Sequence, residues 1–198
     1  MQRFFAFILV FAALFGLTVG FLALVDALPE QAQSEETPYD PGPMVPPSTL
    51  PGAEAPLRVV ARDAGVDVKI NNPSSTDLKV LDDSLLTGAV RYPTSAQLGE
   101  SGTVLLFGHS SHLPIVHNQY YKAFNGIEKL ESGDTISVYS AGYEYRYTVV
   151  GVRFANAQED IVELPSDGKY LTLVTCDNFS TKSSRFVVTA DFVAAYPL

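Results

Sequence analysis

The rhythm of apolar and polar positions changes twice along the 198 residues. Phe4 to Val25 is a run of 22 residues without a charge. As a helix it is long enough to cross a hydrocarbon layer about 30 Å thick. From Pro29 to Pro56 the apolar run gives way to eight prolines with scattered Gly, Glu, Ser and Thr and no apolar period. Proline denies both helix and sheet ladders, so this stretch predicts an extended, solvated linker. Beyond Leu57 the pattern becomes short β-branched and aromatic runs broken by turn residues. These predict strands over 57–62, 66–70, 89–92, 103–107, 135–139, 143–152, 170–175 and 185–190. Thr103-Val104-Leu105-Leu106-Phe107 is apolar nearly throughout, the mark of a strand buried on both faces. Tyr143, Tyr145 and Tyr147 alternate with Glu144, Arg146 and Thr148, and Ala141-Gly142 before them predicts a hairpin with a two-residue turn. Leu78 to Leu86 is mixed, with Asp82-Asp83 read as a turn. Tyr120 to Leu130, broken at Asn125-Gly126, is the only good helical candidate beyond Leu57. About eight short strands with one or two short helices predict a mainly β, closed or nearly closed barrel. The expected divisions are 1–26, an N-terminal transmembrane anchor or signal sequence; 27–56, the linker; and 57–198, the folded domain.

Charge adds direction. Arg3 precedes the apolar run while Asp26 and Glu30 follow it, which places the domain outside the cytoplasmic membrane on a single-pass anchor. A cleaved signal peptide is the alternative. Its apolar region usually spans about 7–15 residues, and no small-x-small site closes the run here, so an uncleaved anchor is favoured. Both alternatives export the domain. The net charge of −9 argues against a nucleic-acid surface. Six of the acids lie before residue 57, leaving 16 acids against 12 bases beyond it.

Export makes the single cysteine, Cys176, informative. Exported proteins tend to pair their cysteines, and one cysteine has no partner in its own chain. A free thiol outside the cell is an oxidation liability, so it is either buried or kept because it reacts. Cys176 ends the run Tyr170 to Thr175, and Arg185 begins the run to Ala190. If the two pair as a hairpin, thiol and guanidinium stand at one rim and can serve as nucleophile and oxyanion donor. The plainer alternative is a small buried hydrophobe and a solvated strand-end arginine. A thiol with a pKa of about 8.5 needs a base near neutral pH. Of the three histidines, His109 directly follows a buried strand and Gly108. His112 and His117 sit further out, in a loop with Pro114, and read as exposed. Together the three match no standard zinc spacing.

Thr172-Leu173-Val174-Thr175-Cys176 resembles the Thr-Leu-x-Thr-Cys signature of sortases. Arg185 fits the position of their signature arginine on the next strand, and Leu106-Phe107-Gly108-His109 fits their histidine after an apolar strand and a glycine. The order histidine, cysteine, arginine agrees, as do the anchor and linker. The resemblance covers roughly residues 57 to 198. It implies an eight-stranded sortase-type β barrel and a membrane-anchored cysteine transpeptidase. Such an enzyme cuts a C-terminal Leu-Pro-x-Thr-Gly-type sorting motif between Thr and Gly through a thioester. The acyl group then passes to an amine of a cell-wall precursor or a pilin lysine. It implies catalytic roles for Cys176, His109 and Arg185, with Thr175 expected at the substrate. In sortases the loop at Asn156 to Lys169 helps to select the motif. Some sortases bind calcium, and Glu159, Asp160 and Glu163 are the acids available for it, but they read as a solvated loop, so no cofactor is expected. No pilin-type lid is recognisable before residue 57. Two other functions fit the same residues: an exported cysteine hydrolase with water as acceptor, and a non-catalytic barrel module with an unreactive Cys176.

Overall fold

The computed structural model describes residues 52–111, 113–156, 164–178 and 181–198, and Phe4, Ile8, Phe11, Leu14, Phe15 and Leu17 near the N-terminus; of 156, 176–178 and 181–184 it describes the backbone. The six N-terminal residues are helical and exposed, and the rings of Phe11 and Phe15 stack at 6.3 Å. Among the described residues no helix is long and apolar enough to cross a membrane. The expected anchor, 4–25, and most of the linker lie outside them.

The C-terminal unit is a closed barrel of eight strands in the order β1-β2-β3-β4-β7-β8-β6-β5. The strands are β1 (Arg58–Ala61), β2 (Val66–Asn71), β3 (Ala89–Arg91), β4 (Gly102–Gly108), β5 (Thr135–Tyr139), β6 (Tyr143–Asn156), β7 (Lys169–Asn178) and β8 (Thr181–Pro197). All neighbours are antiparallel except β2–β3 and β4–β7, which are parallel. The predicted two-residue turn is present at Ala141-Gly142, where the Ser140 N–H donates to the Tyr143 carbonyl at 2.9 Å.

Alternation sorts each strand into two faces. Val104 and Leu106 of β4, Leu171 and Leu173 of β7, Tyr145 and Tyr147 of β6, and Val188 and Ala190 of β8 fill the interior. The opposite faces of β4, β7 and β8 are apolar too. Leu105, Val174 and Val187 join Ala155 in a second buried cluster, with Tyr92 and Phe107 against it. This is why Thr103 to Phe107 reads as continuously apolar. On β5 and β6 the outer face carries polar pairs: Glu144, 2% exposed, accepts from the Ser137 hydroxyl at 2.7 Å and from Arg146 Nε at 2.9 Å.

Two local expectations are corrected. Leu78–Leu85 is an α-helix, α1, and Asp82-Asp83 lies within it rather than at a turn. The Asp77 carboxylate caps it, accepting from the N–H groups of Lys79 at 2.9 Å and Val80 at 3.3 Å. Lys79 and Asp83 then pair one turn apart at 2.7 Å. Conversely, 120–130 is not one helix but two 3-10 turns, Gln119–Lys122 and Ile127–Lys129. Gly126 between them sits at φ 93°, and a Cβ there would lie 2.4 Å from the Ala64 carbonyl oxygen, so the chain cannot continue helically.

The barrel also takes in the end of the proline-rich stretch. Glu54 exchanges backbone hydrogen bonds with Leu98 at 3.0 and 2.9 Å, and the Leu57 N–H donates to the Tyr139 carbonyl at 2.7 Å. Burial pushes the Tyr145 hydroxyl up to about 12, and the Glu54 carboxylate acts in the same direction.

Helix α1 buries none of its residues, and Leu78 is 77% exposed. Its cap should therefore matter locally. Asp77→Ala is expected to speed amide exchange at Lys79 and Val80 about fivefold, the equivalent of about 1 kcal/mol. Global melting should stay unchanged, and Asp77→Ser should restore protection. A fall in the melting temperature of Asp77→Ala would show instead that the barrel depends on the helix.

Candidate active site

Local sequence sets two of the three strand edges that meet at the site. β7 and β8 are consecutive and antiparallel, with Cys176 in register with Arg185, Val174 with Val187 and Thr172 with Thr189. The third edge comes from far away in the chain. β4 runs parallel to β7 from Gly102↔Lys169 to Gly108↔Thr175. His109 is the residue after Gly108, and Cys176 the residue after Thr175. Neighbouring strands lie about 4.8 Å apart, so positions 109, 176 and 185 occupy one edge of three adjacent strands. They also continue one face. Leu105 and Phe107, Thr172 and Val174, and Val187 share the outer row, and 109, 176 and 185 are the next positions of those rows.

His109 is half-buried and held from several sides. Its carbonyl accepts from the Phe124 N–H at 2.9 Å. Its ring lies against that of Tyr121, with centroids 5.4 Å apart and planes tilted by 52°. Gly108 is required here by close approach: a Cβ would fall 2.5 Å from the ring of Phe124, which is fully buried in the core. Burial lowers the pKa of the His109 imidazole below its ordinary value, and Asp82 on α1 opposes that shift.

Arg185 is half-buried, and its register with Cys176 places it at the same edge. Thr175 is 2% exposed and shares the interior row of Leu171 and Leu173, which places it beneath the edge rather than on it. His117 is exposed. His112, Glu159, Asp160 and Glu163 lie outside the described residues. Among the described residues no three His, Cys, Asp or Glu side chains are grouped to hold a metal ion.

A groove of about 530 Å³ lies on the outer face of β7 and β8, lined by Val150, Arg153, Pro165, Tyr170, Thr172 and Val187 among others; it reaches toward the edge through Val187, and none of His109, Cys176 and Arg185 lines it. Its wall includes the end of the β6–β7 connection. The Thr103 hydroxyl donates to the Pro165 carbonyl at 2.8 Å, the Gly102 N–H donates to the Gly168 carbonyl at 2.6 Å, and Lys169 Nζ donates to the Gly99 carbonyl. The groove is open at its side and more apolar than polar, a surface for an extended chain with apolar side chains.

Three residues near the edge escape a sequence reading. Tyr121, Phe124 and Asp82 approach His109 only through tertiary folding. Asp82 had one accessible signal, the Asp77 cap that turns 78–85 into a helix. For Tyr121 and Phe124 no local pattern points to the histidine.

Comparison with known proteins agrees with this geometry. The Sortase domain family matches residues 59–193. Sortase A of Bacillus anthracis is 35% identical over 132 residues, a match covering 63% of this chain and 59% of that protein. The chain thus matches less than two thirds of that relative's length. Among solved structures, sortase A of Listeria monocytogenes superposes with a TM-score of 0.58 at 20% identity, over 73% of this chain and 91% of the other. Sortase C-1 of Actinomyces oris superposes at 0.56 and 23%, over 69% and 72%. At these identities the structures speak for the fold.

Two outcomes are expected from this geometry. Gly108→Ala should destabilise the barrel by about 1–3 kcal/mol, read from denaturant midpoints, because the new methyl meets a ring that has no room to retreat. His109, with its folded-state pKa lowered, binds fewer protons than the unfolded chain just below the ordinary value of 6.5. Its contribution to stability is therefore present above pH 6.5 and lost as the pH falls from there through the folded-state pKa. Wild type should lose stability relative to His109→Gln across that interval; equal slopes would show that the imidazole is not held neutral by the fold.

Proposed function

Because the chain belongs to the sortase family, we propose that it is a cysteine transpeptidase acting on a C-terminal Leu-Pro-x-Thr-Gly-type motif, with Cys176 as nucleophile, His109 as proton carrier and Arg185 as oxyanion donor. The single observation that carries this reading is the register of β4, β7 and β8, in which positions 109, 176 and 185 share one edge and one face. The uncharged run 4–25 supports anchoring of the enzyme in the cytoplasmic membrane with the barrel outside.

The steps follow from the groups. Neutral His109 takes the thiol proton of Cys176, and the thiolate attacks the carbonyl carbon of the motif threonine. The oxyanion that forms accepts hydrogen bonds from the planar guanidinium of Arg185. As the tetrahedral intermediate collapses, the C–N bond to glycine breaks and the imidazolium delivers its proton to the departing amine. The threonine is then a thioester on Cys176. An amine enters and gives a proton to the now neutral His109, and its nitrogen attacks the thioester. The carbon–sulfur bond breaks, the thiolate regains a proton from His109, and a new amide is released. The lowered pKa of His109 suits the first step, which needs the free base.

The test uses the full chain, a panel of Leu-Pro-x-Thr-Gly-type peptides, and triglycine or an amino-sugar-linked amine. An acyl adduct on Cys176 by intact mass, followed by amine-dependent ligated product, is the expected result. Acid product irrespective of amine would identify a hydrolase, and no adduct with any peptide would sink the substrate class. Cys176→Ala should abolish turnover. Arg185→Lys should lower kcat about a hundredfold, since a point charge does not replace a planar fork. An Arg185→Lys enzyme with most of its activity would remove the oxyanion role.

A further inference from the structure

Tyr120 and Tyr121 are adjacent in one 3-10 turn but do different things. Tyr120 packs against the barrel core, and the Lys69 ammonium sits 5.4 Å from its ring centroid. Tyr121 is not among the described residues packed on that core. It is half-buried, and its ring is spent on His109. The segment that carries it is fastened to the segment that carries the histidine. The Phe124 N–H donates to the His109 carbonyl at 2.9 Å. The Ser111 N–H donates to Asn125 Oδ1, and Asn125 Nδ2 donates back to the Ser111 carbonyl, both at 2.8 Å. Phe124 lies directly against Gly108. The turn is held at its start as well. Asn118 Oδ1 accepts from the Tyr120 N–H at 3.0 Å, and Asn118 Nδ2 donates to the Leu86 carbonyl at 2.8 Å at the end of α1. A histidine side chain has two torsions, and each contact that fixes them reduces the conformational entropy left to lose. The turn, fastened in this way, brings a ring against the imidazole.

We propose that Tyr121 is a positioning residue for His109: its ring walls one side of the imidazole and holds it in the orientation from which it exchanges protons at position 176. The inference rests on the role given to His109 above. It assigns the tyrosine no contact with substrate. What it supplies is pre-organisation, which is lost when a catalytic group is free to turn away. Because the ring rather than the hydroxyl forms the wall, phenylalanine should serve and an aliphatic side chain should not.

The test has a spectroscopic and a kinetic arm, both on the full chain. Histidine labelled with ¹³C at Cε1 gives three resonances, one for each histidine. That of His109 is assigned by its disappearance in His109→Gln. In Tyr121→Leu the His109 resonance should move and broaden as ring current and restraint are lost, while those of His112 and His117 stay in place. Tyr121→Phe should keep the wild-type spectrum. With a turned-over Leu-Pro-x-Thr-Gly peptide and triglycine, Tyr121→Leu should lower kcat about tenfold with KM within about twofold, and Tyr121→Phe should retain wild-type kcat. If Tyr121→Leu does not fold, Tyr121→Met takes its place, keeping bulk without a ring. An unshifted His109 resonance in the Leu or Met variant, or an unchanged kcat, overturns the proposal. A fully active His109→Gln would instead overturn the role of His109 on which it rests, so the two failures are distinguishable.

Discussion

The parallel pairing of β4 with β7 is the constraint on which the site depends. Cys176 and Arg185 are brought together by the β7–β8 hairpin, a pairing of neighbouring segments. His109 arrives only because β4 lies beside β7 in one particular register, with Gly108 opposite Thr175. A slip of one residue would move position 109 to the other face, away from 176 and 185. The register is held by burial on both sides of β4: Val104 and Leu106 inward, Leu105 and Phe107 outward. The contacts that hold β4 in the barrel on both faces therefore also set the alignment of the candidate edge.

Electrostatics at the edge oppose one another. Burial disfavours the imidazolium of His109, while the carboxylate of Asp82 favours it. The balance leaves the histidine a free base more readily than a histidine in water. In the mechanism proposed here, that suits deprotonation of a thiol and of an incoming amine, and makes the imidazolium a stronger acid toward a leaving amine. The cost falls on stability in mild acid, where the unfolded chain takes up the proton that the folded one resists.

Much of this was legible in the residues because it is local. Strand runs such as Thr103 to Phe107 and Thr135 to Tyr139, the turn at Ala141-Gly142, and the approach of Cys176 to Arg185 follow from periodicity and turn chemistry over a few positions. The break at Asn125-Gly126 was equally visible, although the flanking turns proved to be 3-10 rather than α. The helix 78–85 was hard to see because it is short and buries none of its residues fully: Leu78 and Val80 are exposed and only Leu81, Ser84 and Leu85 are half-buried, so the Asp77 cap is its clearest local mark. Thr175 lies on the interior row, an assignment that alternation with Leu171 and Leu173 already contained. The parallel β4–β7 contact, and the ring of Tyr121 on His109, depend on segments distant in sequence, and neither leaves a mark in any short window.

The backbone exchange between Glu54 and Leu98 fixes where the preceding chain joins the barrel. Leu98 stands just before the start of β4, and His109 stands just past its end. Ten residues, 99–108, separate the two, and the seven of β4 alone span about 20 Å at about 3.3 Å per residue. The point of attachment and the reactive edge are thus at opposite ends of the barrel.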